Sequence, residues 1–143
     1  MVITVNLNPL KSTTVFHYLG RTITYNNSDW LALYINLHKS YRRWGVTEKF
    51  LGKTGAPIKS HTMIYKAVVQ VMLLYGSKNW VVMDAMVTVI EGFHNRIARR
   101  IAGMTASKGN RGEYEWASVD ASLESTSLCP IREYVRIRQA TIA

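Results

Sequence analysis

The sequence predicts a mainly α protein with a small N-terminal β-hairpin, an α+β chain whose bulk is a helical bundle. Three observations predict it. Two β-prone runs, residues 13–18 and 21–25, flank Leu19-Gly20. Apolar residues recur at helical spacing further on, as in Met86, Ile90, Phe93, Ile97 and Ile101. Proline and glycine (Pro57, Gly76, Gly103, Pro130) stand where such helices would start and stop.

Taken in order, residues 2–5 form a β-branched run that reads as a strand, broken by Pro9 and Lys11-Ser12. The hairpin follows. Asn27, Ser28 or Asp29 then caps a helix reaching Trp44. Trp30, Leu33, Tyr34, Leu37, Tyr41 and Trp44 fall on one arc of it; Lys39, Arg42 and Arg43 lie opposite, with Ile35 a misfit beside them. Gly45 reads as its stop, and a short helix over 47–51 is closed by Gly52 and Gly55. Pro57 opens a helix over 58–75 that Gly76 ends. Its second half is apolar around most of the wheel, which predicts burial on several sides.

Asp84 is placed to cap a fourth helix reaching residue 102. Gly92 inside it costs about 1 kcal/mol relative to alanine, and a close helix contact would explain it. "TASKGNRGEYE" reads as a polar, glycine-rich loop. A weak helix over 119–124 and another opened by Pro130 follow; the last runs into Ala143 without a stop and reads as an element cut short. The chain thus divides into a β segment (1–27), a helical domain (28–104), a loop (105–117) and a helical extension (118–143).

The 143 residues suffice for one domain with a core, and 48% hydrophobic against 19% charged content predicts folding rather than disorder. The net charge of +9 points to a polyanionic partner, nucleic acid before a membrane surface. Cys129 is the only cysteine, so no internal disulfide forms, which fits a reducing compartment. The N-terminus lacks the pattern of a signal peptide, and the longest apolar run, residues 67–75, is about half of the ~20 residues a membrane span needs. An intracellular protein of cytoplasm or nucleus is expected, not secreted and without a membrane partner.

Enzyme signatures are absent. Two-metal chemistry needs clustered carboxylates, and Asp29, Asp84 and Asp120 are far apart in sequence. His17, His38, His61, His94 and Cys129 lack zinc-ligand spacing. Cys129 beside Pro130 reads as a structural cysteine before a nucleophile. "KTGAPIKS" lacks the glycine-lysine-serine core of a phosphate loop and reads as a loop and helix start.

The order of segments carries a resemblance. "FHYLGRTI", "YRRWG", "YKAVVQVMLLYGSKNWVV", "IEGFHNRIARRIAGM" and "CPIREYVRIRQATIA" follow one another over nearly the whole chain. This resembles the C-terminal part of reverse transcriptases of LINE-type, non-LTR retrotransposons. F-x-Y-L-G followed at this distance by L-L-Y-G-S-x-x-W carries most of its specificity. The resemblance implies a primer-grip hairpin at the edge of the palm, with Phe16, Tyr18, Leu19 and Gly20 at the matching positions, and a helical thumb that closes over template–primer duplex. An ordinary core hairpin with Phe16 and Tyr18 buried is the alternative. The family's Asp-Asp motif and its Mg2+ lie upstream of this hairpin. The chain is therefore expected to be a fragment of an RNA-directed DNA polymerase with no cofactor and no polymerase activity of its own. Its remaining capability would be sequence-independent binding of RNA–DNA or DNA duplex. A helical protein-interaction module, self-associating through exposed apolar surface, and a non-functional remnant of a decayed element are the other readings.

The basic residues place the expected contact. Lys39, Arg42, Arg43, Lys49, Lys53 and Lys59 stand in one stretch opposed only by Glu48, and Arg96 and Arg99 form a second group. Arg100, beside an apolar stripe, is expected to take a structural role, either snorkelling past the stripe or pairing with a carboxylate. Trp30, Trp44, Trp80, Trp116, Tyr34, Tyr41 and Tyr75 have rings able to stack bases, though helical spacing favours the core for them.

Overall fold

The computed structural model describes residues 4–5, 8–9, 11–104, 106–108, 112–115 and 117–141. Residues 1–3, Arg111, Trp116 and 142–143, over which the last helix was expected to continue, fall outside the described residues. The chain is mainly helical with a small antiparallel N-terminal hairpin, as its sequence predicts.

Strands β1 (Thr4–Val5) and β2 (Asn8–Pro9) make a two-residue ladder. Strands β3 (Val15–Tyr18) and β4 (Arg21–Thr24) form the hairpin, pairing Phe16 with Ile23 and Tyr18 with Arg21. Its two central residues both have positive φ, Leu19 at 49° and Gly20 at 77°. That is the primed geometry whose twist matches the strands. Glycine adopts it freely, whereas leucine is strained there by about 1 kcal/mol.

Helix α1 runs unbroken through Trp30–Thr54, 25 residues, and ends at Gly55 with φ 63°. The expected break at Gly45 does not occur. Trp44 and Leu51 on either side of it are both buried, and keeping them on one rod outweighs the roughly 1 kcal/mol that each internal glycine costs. Asp29 precedes α1 but its carboxylate does not cap it. It instead accepts from the Val81 amide at 2.9 Å and from Arg21 at 3.5 Å, tying the hairpin to the segment before α4.

The next rod is continuous but not uniform. Helix α2 (Ile58–Ile64) passes into a π-helical segment, Tyr65–Gln70, and back into α3 (Val71–Leu73). Gly76 follows with φ 75°. The carbonyls left open at its end are satisfied from outside. Asn36 of α1 donates to the carbonyls of Leu73 and Tyr75 at 3.3 and 2.9 Å. Tyr65, Val69, Leu73 and Leu74 are fully buried. Burial on several sides, however, does not hold: Met63, Val68 and Val71 are exposed.

Helix α4 (Asp84–Ile101) buries the predicted stripe of Met86, Ile90, Phe93, Ile97 and Ile101. Met83, not Asp84, holds its N-cap position, and Asp84 pairs with Arg132. Gly92 has no close neighbour, since a Cβ there would meet nothing within 4 Å. The segment expected as a loop carries the short ladder β5 (Ser107–Lys108) with β6 (Tyr114–Glu115). Helices α5 (Val119–Thr126) and α6 (Ile131–Ala140) close the bundle. Ser118 caps α5 by accepting from the Ala121 amide. One core joins α1, the α2–α3 rod, α4, α5 and α6 through Leu33, Trp44, Tyr65, Phe93, Leu123 and Ile131.

At its centre Tyr65 and His94 are both fully buried, with their polar atoms 2.8 Å apart. His94 Nε2 lies 3.0 Å from the Cys129 carbonyl, which can only accept. Nε2 therefore carries the proton, and the Tyr65 hydroxyl donates to Nδ1. Burial pushes His94 down to about 4, with the Cys129 hydrogen bond opposing, so the ring is neutral near pH 7.

Candidate nucleic-acid interface

Three adjoining concavities make one trough across the face formed by α1, the α2–α3 rod and the hairpin tip. The first is lined by Lys39, Arg42, Arg43, Val46 and Met72. The second shares Lys39 and Met72 with it and adds Gly20, Val68, Val71 and Tyr75. The third shares Val71 and Tyr75 and adds Tyr18, Leu19 and Ile23, with Arg21, Lys78 and Arg138 around them. The trough thus joins two groups that lie about twenty residues apart in the sequence, the Tyr18-Leu19-Gly20 tip and the Lys39-Arg42-Arg43 cluster.

Helical spacing builds the basic side. Lys39, Arg42, Arg43, Val46, Lys49, Phe50 and Lys53 recur at three- and four-residue steps and share one exposed face of α1. Lys59 is exposed on the first turn of α2, two turns before Ala67 of the trough wall. Among the described residues, none of Lys39, Arg42, Arg43, Lys49, Lys53 or Lys59 makes an ion pair. No Asp or Glu is among the lining residues.

The hairpin is held by specific contacts rather than by a core. The Tyr75 hydroxyl donates to the Leu19 carbonyl at 2.6 Å. A Cβ at Gly20 would stand 3.4 Å from the same ring, so this glycine lets backbone and ring approach. Arg21 reaches Asp29 and the Asn79 carbonyl from the other strand. Phe16 and Tyr18 are not core residues: they are 54% and 58% exposed, with near-parallel rings 6.4 Å apart. The alternative of a buried, ordinary hairpin is excluded on these positions.

The second basic group lies elsewhere. Tyr41 and Glu48 point about half a turn away from the Lys39 face of α1, and α4 meets them there. Arg96 donates to the Tyr41 hydroxyl at 2.6 Å with its guanidinium over the ring. Arg100 pairs with Glu48 at 3.1 Å, as expected of it. Arg99 donates to the Ala117 carbonyl. The structure therefore does not bring Arg96 and Arg99 to the trough, and their charge is used between helices. Of the aromatic residues, Trp44 and Trp80 are buried, whereas Tyr34, Tyr41 and Tyr75 are exposed.

Lys78, Arg138 and Met72 belong to the trough but carried no sequence signal, because they enter it only through the packing of α6 and the α3 end. Among the described residues, no group of three or more His, Cys, Asp or Glu stands ready to hold a metal ion. No helix there is long and apolar enough to cross a membrane. No family model, no curated protein and no solved structure matches the chain.

Proposed function

We propose that the chain binds nucleic-acid duplex through its phosphates, without reading sequence, as the primer-grip and thumb portion of a reverse transcriptase of the LINE type. One observation carries the proposal: the tip residues Tyr18, Leu19 and Gly20 and the cations Lys39, Arg42 and Arg43 line the same trough, which has no carboxylate among its described lining residues. Cations free of intramolecular partners keep their charge available for phosphate, and such contacts position a duplex without discriminating its bases. Polymerisation would need the metal-holding carboxylate pair that the resemblance places upstream of the hairpin.

Titration with a labelled duplex across a salt series tests it. With ~3–6 phosphate contacts, log K should fall against log salt at a slope of about −3 to −5. An RNA–DNA hybrid should bind comparably. No primer should be extended when Mg2+ and nucleotides are supplied. Strong binding indifferent to salt would overturn the proposal.

One observation favours a second reading, a protein-interaction module. The hairpin presents Phe16, Tyr18, Leu19 and Tyr25 to solvent, and clustered exposed apolar groups promote association. Sedimentation at increasing concentration decides it: self-association supports this reading, and a monomer throughout removes it.

A further inference from the structure

The two ends of the trough are chemically different. The α1 end is cationic, with Lys39, Arg42 and Arg43 and no aromatic ring. The hairpin end is built of Tyr18, Tyr75, Ile23 and Val71, with Arg21, Lys78 and Arg138 around it. A base-paired duplex presents phosphates outward and keeps its base faces inside the stack. The first end suits that surface. The second offers aromatic and aliphatic faces that the phosphate flank of a duplex does not match.

We propose that the hairpin end takes the face of an unpaired base, so that the preferred ligand is a duplex carrying a short single-stranded overhang. The proposal rests on the nucleic-acid reading above and names the ligand class of its second half. Tyr18 is 58% exposed and Tyr75 47%, so both rings retain open surface. Their positions are set before any ligand arrives. Tyr75 is latched to the Leu19 carbonyl and packed by Gly20, and Tyr18 leaves the turn beside Phe16. Rings ordered in advance lose little freedom on stacking. Lys78 and Arg138 border the pocket with no carboxylate among its described lining residues, which favours a nucleotide over an apolar protein segment.

Three ligands test the proposal: a blunt duplex, the same duplex with a short thymidine overhang, and the same duplex with an abasic overhang of equal length. Stacking of a base predicts about tenfold tighter binding of the thymidine overhang than of either other ligand. Tyr18→Leu keeps apolar bulk and removes the ring. It should abolish the preference for the thymidine overhang over the blunt duplex, whatever it does to the affinity for both. Equal binding of all three by the wild-type protein overturns the proposal and leaves phosphate binding standing. An abasic overhang as good as the thymidine one overturns it as well, since only extra phosphates would then be felt. Failure of every duplex, with self-association on sedimentation, would give the pocket to a second copy and sink both proposals.

Discussion

Helices α1 and α4 carry the same sequence signal and put it to different use. Each has cations grouped within a turn or two of an amphipathic helix. In α4 those cations are tied inward: Arg96 to Tyr41, Arg99 to the Ala117 carbonyl, Arg100 to Glu48. In α1, Lys39, Arg42 and Arg43 have no carboxylate partner among the described residues and border an open trough. A charge count cannot separate the two helices. What separates them is whether acceptors from a neighbouring element meet the cations. Glu48 is the decisive residue, because it sits on the one side of α1 that faces α4.

The largest expected effect sharpens that contrast directly. Replacing Lys39, Arg42 and Arg43 together by Gln should flatten the salt slope of duplex binding by up to ~3 units at unchanged helix content. The matching triple change of Arg96, Arg99 and Arg100 should leave the slope intact and lower the melting temperature. An unchanged slope in the first variant, or a flattened one in the second, would break the comparison.

The next effect concerns the buried middle of α4. His94 titrates near 4 in the folded chain against an ordinary 6.5. Between those values the unfolded chain binds a proton that the native one refuses. Its contribution is therefore complete above pH 6.5 and is lost as pH falls toward 4, up to about 3 kcal/mol. Urea unfolding at pH 7 and pH 5 should show the loss, and His94→Gln should reduce the difference between the two pH values. A variant with the wild-type pH dependence would exclude His94 as its source.

Smaller effects test the helices themselves. Gly45 and Gly52 of α1 and Gly92 of α4 leave room for a Cβ, with nothing within 4 Å. Alanine at each should stabilise by about 1 kcal/mol in thermal or urea unfolding. Destabilisation at Gly45 would mean that α1 needs flexibility at its middle. Arg100→Gln should have the least effect, about 0.5 kcal/mol, because its pair with Glu48 is half exposed. It should not alter the salt slope.

The α4 stripe, the hairpin with its Leu19-Gly20 turn and the proline starts of α2 and α6 were legible in the sequence, because each is a local pattern read at one period. The length of α1 was not. Gly45 is a good local stop signal, and only the burial of Trp44 and Leu51 on a common core overrides it. The same holds for Asp29, a plausible helix cap whose carboxylate is drawn to the Val81 amide 52 residues away. Half of the candidate site was legible. Tyr18, Leu19, Gly20 and the α1 cations could be named from motif and charge. Arg96 and Arg99 were assigned by charge alone, and Tyr41 and Ala117 claim them in three dimensions.

The π-helical segment Tyr65–Gln70 sets the angular phase of everything after it. A π turn holds one residue more than an α turn, so the rod carries a built-in register offset. Were the segment to rewind as plain α-helix at the same length, the following side chains would rotate by about 100°. Tyr75 would swing away from the Leu19 carbonyl, and Leu73 would leave the core. The rod is thus a timing element: Tyr65 stays on His94 and Tyr75 stays on the hairpin because the wider turn absorbs the extra residue between them.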